Sequence, residues 1–226
     1  MIIAGGRGER LRPLTDTVPK PMVEIHGKPI LWHQVEWFKR HGVTDVVFLL
    51  RYKWEAVRDY FGDGSKFGIR AYYNVEKEPL GRGGALRDGL KSHVPPSEQI
   101  VLAANGDIVS HEDLTAMMRQ HTEKGHTATV MLTPLRSPYA IVDMNESRNI
   151  TAFREKPLLD VWINAGVYVL NRDIEPLLPE KGDQEDSTFP KLAAKGLLGG
   201  YPSRTFWRSV DSFKDLREAE EALAAG

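Results

Sequence analysis

The opening stretch, MIIAGGRGERLRPLTDTVPKPM, restricts this chain more than any other. A short apolar run, Met1 to Ala4, breaks at once into Gly5, Gly6 and Gly8, and Arg10 follows. After a segment bearing Pro and Thr, Lys20 stands between Pro19 and Pro21. Glycine lets a chain turn tightly and lets backbone N–H groups approach an anion with no Cβ in the way. Arg10 adds a planar cationic fork and Lys20 a point charge. A strand that empties into such a loop is built to hold something rich in phosphate.

Two better-known glycine signatures are excluded. The dinucleotide fingerprint places a third Gly where Leu11 stands and opens a helix straight from the loop. Pro13, Thr15 and Pro19 work against an early helix. The ATPase-type loop needs Gly-Lys followed by Ser or Thr, whereas Gly27 and Lys28 are followed by Pro29.

Further along, strand and helix patterns alternate. Pro29 opens a helix that Gly42 ends, with Leu31, Val35 and Phe38 as its buried stripe and Trp32, His33 and Trp37 as flanking packing. Thr44 to Leu50 reads as a strand, Lys53 to Phe61 as a helix stopped by Gly62, and Ile69 to Asn74 as a strand. Ile100 to Ala104 is a buried strand, Glu112 to Lys124 a helix, Thr127 to Leu132 a strand, and Asp215 to Ala225 a closing amphipathic helix. The alternation predicts an α/β protein, a Rossmann-like three-layer sandwich whose mostly parallel sheet carries helices on both faces.

Lys and Arg number 30 against 31 Asp and Glu, a formal net charge of −1, so there is no global attraction to nucleic acid or acidic membrane. Phosphate recognition must be local. With no Cys there is no disulfide frame, no thiol chemistry and no Cys-ligated metal. Apolar runs such as Val46 to Leu50 are too short to span a bilayer and no signal peptide opens the chain, so a cytoplasmic location is expected. The seven His show no ligand spacing.

The pattern GGRGERLRPLT…PKPMVEIHGKPIL resembles the sugar-1-phosphate nucleotidylyltransferases, whose pattern is GGxGTRLxPLT…PKP followed by a short strand and GKP. Glu9 stands where that family has Thr. The resemblance implies one nucleotidyltransferase domain over residues 1–226, its nucleotide-binding half about 1–110 and its sugar-binding half about 111–226. It assigns the strand end Ile3 and Ala4, the loop residues Gly5, Gly6, Gly8 and Glu9, and Asn105 to the nucleotide, with Arg10 and Lys20 in catalysis. The segment Glu76 to Leu86 looks like the PLGTxGAL loop that closes over the base, with Arg82 in place of Thr; Glu76, Gly81 and Gly84 are its nucleotide contacts. A carboxylate such as Glu76 or Glu78 accepts from the amino groups of guanine or cytosine, a donor that uracil and thymine lack.

Asn105-Gly106-Asp107 follows a buried strand, and ligands of open α/β sheets sit where parallel strands end. Mg²⁺ takes one or two carboxylates plus phosphate and water, and the resemblance makes Asp107 its first ligand. Phe206 to Ser212 leaves the second ligand open. Aligned on Trp207 it would be Ser209, but the glucose-1-phosphate cytidylyltransferases carry WxxMDT and share the KPMVEIxGKPILWH run, which favours Asp211. Ser137 to Val142 resembles the family's RYGVV with Ala140 at its Gly, Phe153 to Pro157 its FxEKP, and Trp162 to Tyr168 its NAG(V/I)Y. These imply sugar contacts from Ala140, Glu155 and Asn164 and a catalytic contact from Lys156. No acyltransferase or β-helix extension is expected.

The implied reaction joins an NTP and a sugar 1-phosphate into an NDP-sugar and pyrophosphate by in-line attack of the sugar phosphate on the α-phosphorus. The acidic loop favours GTP with mannose or heptose 1-phosphate, ahead of CTP with glucose 1-phosphate or of UTP or dTTP. A non-catalytic subunit that binds an NDP-sugar is the rival from another class, cited for Glu9, Arg82, Ala140 and Ser209. A homodimer is compatible with the resemblance.

Overall fold

A computed structural model describes residues 1–224. In chain order the first elements are β1 (Ile2–Ile3), β2 (Glu24–Ile25), β3 (Lys28–Pro29), α1 (Ile30–Arg40), β4 (Asp45–Leu50), α2 (Trp54–Phe61) and β5 (Arg70–Val75). Then come α3 (Gly81–His93), β6 (Ile100–Asn105), β7 (Ile108–Ser110), α4 (Leu114–Lys124), β8 (Ala128–Arg136), β9 (Ile141–Met144) and β10 (Ile150–Arg154). The last are β11 (Leu158–Asn171), α5 (Gln184–Ala194), β12 (Leu198–Pro202), β13 (Trp207–Ser209) and α6 (Phe213–Ala224). The expected end of α6 at Ala225 lies outside the described residues.

Local chemistry explains the boundaries. The carboxylate of Asp113 caps α4 by accepting from the Ala116 N–H at 3.1 Å. That moves the start of this helix past Glu112, which is buried and accepts from the hydroxyls of Ser203, Thr205 and Tyr201. Helices α1, α2 and α4 run out at Gly42, Gly62 and Gly125, each at positive φ. Between Glu9 and Met22 the chain makes only short 3₁₀ turns, as its prolines require.

Among the described residues the main sheet has seven strands in the order β12-β8-β11-β6-β1-β4-β5. Neighbours pair in parallel except β11, which runs against both β6 and β8. Side chains alternate across a strand, and both faces are apolar. Ile2, Phe48, Ala104, Val167 and Val169 pack with Val35 and Phe38 of α1, Phe61 of α2 and Met117 of α4. Met1, Leu49, Ala103, Tyr168 and Leu170 face the other way, onto Leu86 and Leu90 of α3 and Phe189 and Leu192 of α5. The expected three layers are present.

Two features position the site. Strands β1 and β6 end side by side, Ile3 opposite Asn105, and the Gly106 N–H donates to the Ile3 carbonyl at 2.8 Å. A Cβ at Gly106 would lie 2.9 Å from that carbonyl oxygen, so only glycine lets the two strand ends close up. The short ladder of β7 with β13 is the second: Ser209 pairs with Ile108, and the Val210 N–H donates to the Asp107 carbonyl at 2.9 Å. It fastens the segment around Asp211 to the segment around Asp107.

His121 supplies a pH dependence of stability. It is 1% exposed, its ring nitrogens 2.8 Å from Thr129 Oγ1 and 2.9 Å from Asn171 Oδ1. Burial, assisted by the charge of His126, outweighs the Asn171 hydrogen bond and holds its pKa below the ordinary value. The unfolded chain therefore takes the proton first, so stability is full above the unfolded pKa and falls as pH drops through it. His33 and His41 are shifted the same way. The melting temperature followed by circular dichroism is expected to fall between pH 7.5 and pH 5.5, with a shallower fall in His121→Gln; an equal fall in both proteins contradicts the assignment.

Candidate active site

The glycine loop leaves the end of β1 and turns back through Gly8, which holds the left-handed conformation at φ 66° and ψ 38°. A Cβ at Gly8 would lie 2.5 Å from Lys20 Cβ and 3.1 Å from Thr15 Cγ2, so this glycine answers both a positive φ and a close approach. The Thr15 hydroxyl donates to the Gly8 carbonyl at 2.9 Å and fixes the turn. Among the described residues, no backbone N–H from Gly5 to Arg10 donates to a protein acceptor. A run of free N–H groups at the end of a parallel strand is an anion nest.

Beside the nest, the charged groups converge. The Lys20 ammonium donates to Asp107 Oδ2 at 2.5 Å and to Asp211 Oδ1 at 2.6 Å. Arg10 donates to the same Asp211 oxygen at 2.7 Å, and the Ser209 hydroxyl donates to Asp211 Oδ2 at 3.1 Å. Burial pushes the Asp211 carboxyl up. The Lys20 hydrogen bond and charge, the Arg10 charge and the Ser209 hydroxyl outweigh it and hold the group below the usual carboxylate range. Arg10, Lys20, Asp107 and Asp211 border a cavity of about 520 Å³ lined also by Ile3, Ala4, Gly5, Gly6, Glu9 and Asn105.

A divalent cation fits the donor set. Asp107 Oδ1 is buried without a hydrogen-bond partner, and two carboxylates stand together with one lysine as their shared counter-charge. No group of three or more His, Asp or Glu suited to a metal occurs among the described residues. Two hard oxygens agree with Mg²⁺, which leaves most of its positions to phosphate and water. Of the two candidates in the Phe206 to Ser212 segment, Asp211 brings the carboxylate to Lys20, and Ser209 is its hydrogen-bond donor.

Other expected residues land elsewhere. The second glycine cluster is the first turn of α3 rather than a loop. The N–H groups of Gly83 and Gly84 reach the Gly182 carbonyl at 3.0 and 3.2 Å. A Cβ at Gly81 would lie 2.7 Å from Gly182, and one at Gly84 2.6 Å from the Glu180 carbonyl. Gly81 and Gly84 thus serve a tight helix-to-loop joint and do not border the cavity. Glu76 does not border it either: its carboxylate accepts from the Leu80 N–H at 3.2 Å, and burial pushes its pKa up. Ala140, Glu155 and Lys156 ride on or beside the β9–β10 hairpin, a ladder separate from the main sheet. Lys156 pairs with Glu155 there, at 3.6 Å, and none of the three lines the cavity. Asn164, on β11, donates to the Tyr168 hydroxyl at 3.1 Å.

Arg82, in the sequence only a departure from a pattern, does line the cavity, as do Pro21 and Gly106. Its partners, Asp183 at 2.7 Å and Glu185 at 3.1 Å, carry no local signal, because they come from the distant start of α5.

The strand-end cleft of this α/β sheet joins free backbone N–H groups, the cations Arg10, Lys20 and Arg82, and the carboxylates of Asp107 and Asp211, a set of groups suited to phosphate. The chain belongs to the nucleotidyl transferase family, whose model matches residues 1–226. It is 35% identical over 222 residues to mannose-1-phosphate guanylyltransferase 1 of Arabidopsis thaliana, covering 95% of this chain and 62% of that protein. It is 34% identical over 224 residues to mannose-1-phosphate guanyltransferase 2 of Candida glabrata, covering 96% and 62%. The chain thus spans about 62% of the length of these curated relatives. Among solved structures, HddC from Yersinia pseudotuberculosis matches with a TM-score of 0.78 at 25% identity, over 98% of this chain and 97% of that one. Among the described residues no helix is long and apolar enough to cross a membrane.

Proposed function

We propose that this chain transfers a nucleotidyl group from an NTP to a sugar 1-phosphate, releasing pyrophosphate, with GTP and mannose 1-phosphate as its leading pair and heptose 1-phosphate as the next sugar to try. The observation that carries the reading is the meeting of Arg10, Lys20, Asp107 and Asp211 beside a glycine loop with free N–H groups. The guanylyl preference rests on the named relatives.

The physical problem is to bring two polyanions together and to stabilise charge that grows on the leaving oxygens. The N–H groups of Gly5 to Gly8 and the Arg10 fork hold the triphosphate and offset the departing pyrophosphate. Lys20 exchanges a carboxylate oxygen for a phosphate oxygen, a move that its unbranched stem against Gly8 allows. By the resemblance, Lys156 would offset the incoming sugar phosphate and Ala140, Glu155 and Asn164 would meet the sugar, outside the cavity that Arg10 and Lys20 line. The attacking phosphate oxygen is already ionised, so no general base is required. Asp107 and Asp211 would hold Mg²⁺, which when bound neutralises phosphate charge and aligns the reacting groups.

Pyrophosphate release measured across four NTPs and a panel of sugar 1-phosphates tests the reading. GTP with mannose or heptose 1-phosphate is expected to give the highest kcat/KM; cytidylyl transfer to glucose 1-phosphate overturns the base assignment. Tight NDP-sugar binding with no release from any pair overturns the activity.

A further inference from the structure

Arg82 belongs to the proposed nucleotide half but is held entirely by the other half. Its backbone N–H donates to Asp183 Oδ1 at 2.8 Å and its guanidinium to Asp183 Oδ2 at 2.7 Å, while its other terminal nitrogen lies 3.1 Å from Glu185 Oε1. That same oxygen accepts from the Tyr168 hydroxyl at 2.9 Å and faces Asn164 Nδ2 at 3.4 Å. Asn164 Nδ2 also donates to the Tyr168 hydroxyl at 3.1 Å, and Asn164 Oδ1 accepts from the Gly166 N–H at 2.8 Å. One carboxylate oxygen therefore gathers three donors, while Glu185 Oε2 is buried with no partner.

The network ends at an irregularity that borders the cleft. The register of β11 against β8 shifts between Asn164 and Tyr168, and Gly166 sits at φ 70°. A Cβ there would meet Asn105 Nδ2 at 2.5 Å, and Asn105 lines the cavity. The bulge is thus pressed against the cleft wall, and the side chain that leaves it, Asn164, is fixed through Tyr168 and Glu185 by Arg82. A lysine has no planar fork with which to grip Asp183 and Glu185 together.

We propose that Arg82 is a positioning residue for the sugar substrate: it anchors Glu185, Glu185 anchors Tyr168 and Asn164, and the orientation of Asn164 toward the sugar depends on that chain. Arg82 lies beside the nucleotide cradle, yet its energetic effect falls on the second substrate. The inference rests on the proposed nucleotidyl transfer and on the sugar contact proposed there for Asn164.

Steady-state kinetics of the intact chain with GTP, mannose 1-phosphate and Mg²⁺ test it. Arg82→Ala is expected to raise KM for mannose 1-phosphate by about tenfold or more while KM for GTP stays within about twofold, the signature of binding lost on one substrate only. Arg82→Lys fails to rescue. Tyr168→Phe removes one hydroxyl from the same chain, leaves the fold intact, and raises the same KM in the same direction. Equal increases in both KM values, an increase confined to GTP, or rescue by Lys each overturns the inference while leaving nucleotidyl transfer in place. No turnover by the unmodified chain with any sugar 1-phosphate overturns both.

Discussion

Asp107→Asn lowers the turnover of pyrophosphate release by about a thousandfold, equivalent to ~4 kcal/mol of barrier. The side chain keeps its shape but loses its charge and one of two hard oxygens. Lys20 is then balanced by Asp211 alone, at 2.6 Å, with Arg10 competing for the same oxygen at 2.7 Å. The excess positive charge disfavours a divalent cation, and the carboxamide is a poorer Mg²⁺ ligand. Stability suffers less, because replacing one hydrogen-bond partner by an isostere costs about 1–3 kcal/mol. In a chain of this size each kcal/mol moves the melting temperature by about 2–4 °C. Asp211→Asn acts in the same direction and also releases Arg10. A coupled pyrophosphate assay run beside a thermal melt separates catalytic loss from unfolding; near-normal turnover in both variants removes the carboxylate pair from the chemistry.

Gly8→Ala is the second large effect, and it reaches both stability and activity. The φ of 66° alone costs a side chain about 1–3 kcal/mol. The new methyl group would also sit 2.5 Å from Lys20 Cβ, so the loop or the Lys20 stem must shift. A displacement near 1 Å in a positioning group costs about a hundredfold in rate. The expected result is a lower melting temperature together with at least that loss of turnover. Gly6→Ala is the control for stability: nothing lies within 4 Å of its Cβ position and its melt should not move. Equal melting temperatures for the Gly8 and Gly6 variants contradict the packing of Lys20 against the loop.

The glycine loop was legible because all of its determinants are local. Free N–H groups, Arg10 and Lys20 lie within the sixteen residues from Gly5 to Lys20, held by turns that Pro13, Pro19 and Gly8 dictate. Asp107 was legible too, since a buried apolar run ending in Asn-Gly-Asp marks a strand end. Asp211 was reachable only through resemblance. Its neighbour in space is set by the β7–β13 ladder, and three-residue strands leave little periodicity to read. The second glycine cluster carries an ambiguity that the sequence does not resolve. Glycines that admit a ligand and glycines that admit another stretch of backbone look alike in a sequence, and Gly81 to Gly84 admit residues 179–184. Ala140, Glu155 and Lys156 show a further limit: their motifs are local to a hairpin outside the main sheet, and a motif does not say which part of a cleft its hairpin lines.

Exchange of labelled pyrophosphate into GTP tests directly whether two substrates meet in this cleft. Direct transfer predicts no exchange with protein, Mg²⁺, GTP and labelled pyrophosphate alone, and rapid exchange once GDP-mannose is added. Exchange without any sugar would mean that the nucleotidyl group rests on the protein itself, and a cleft that works by holding two repelling phosphates together would be the wrong description.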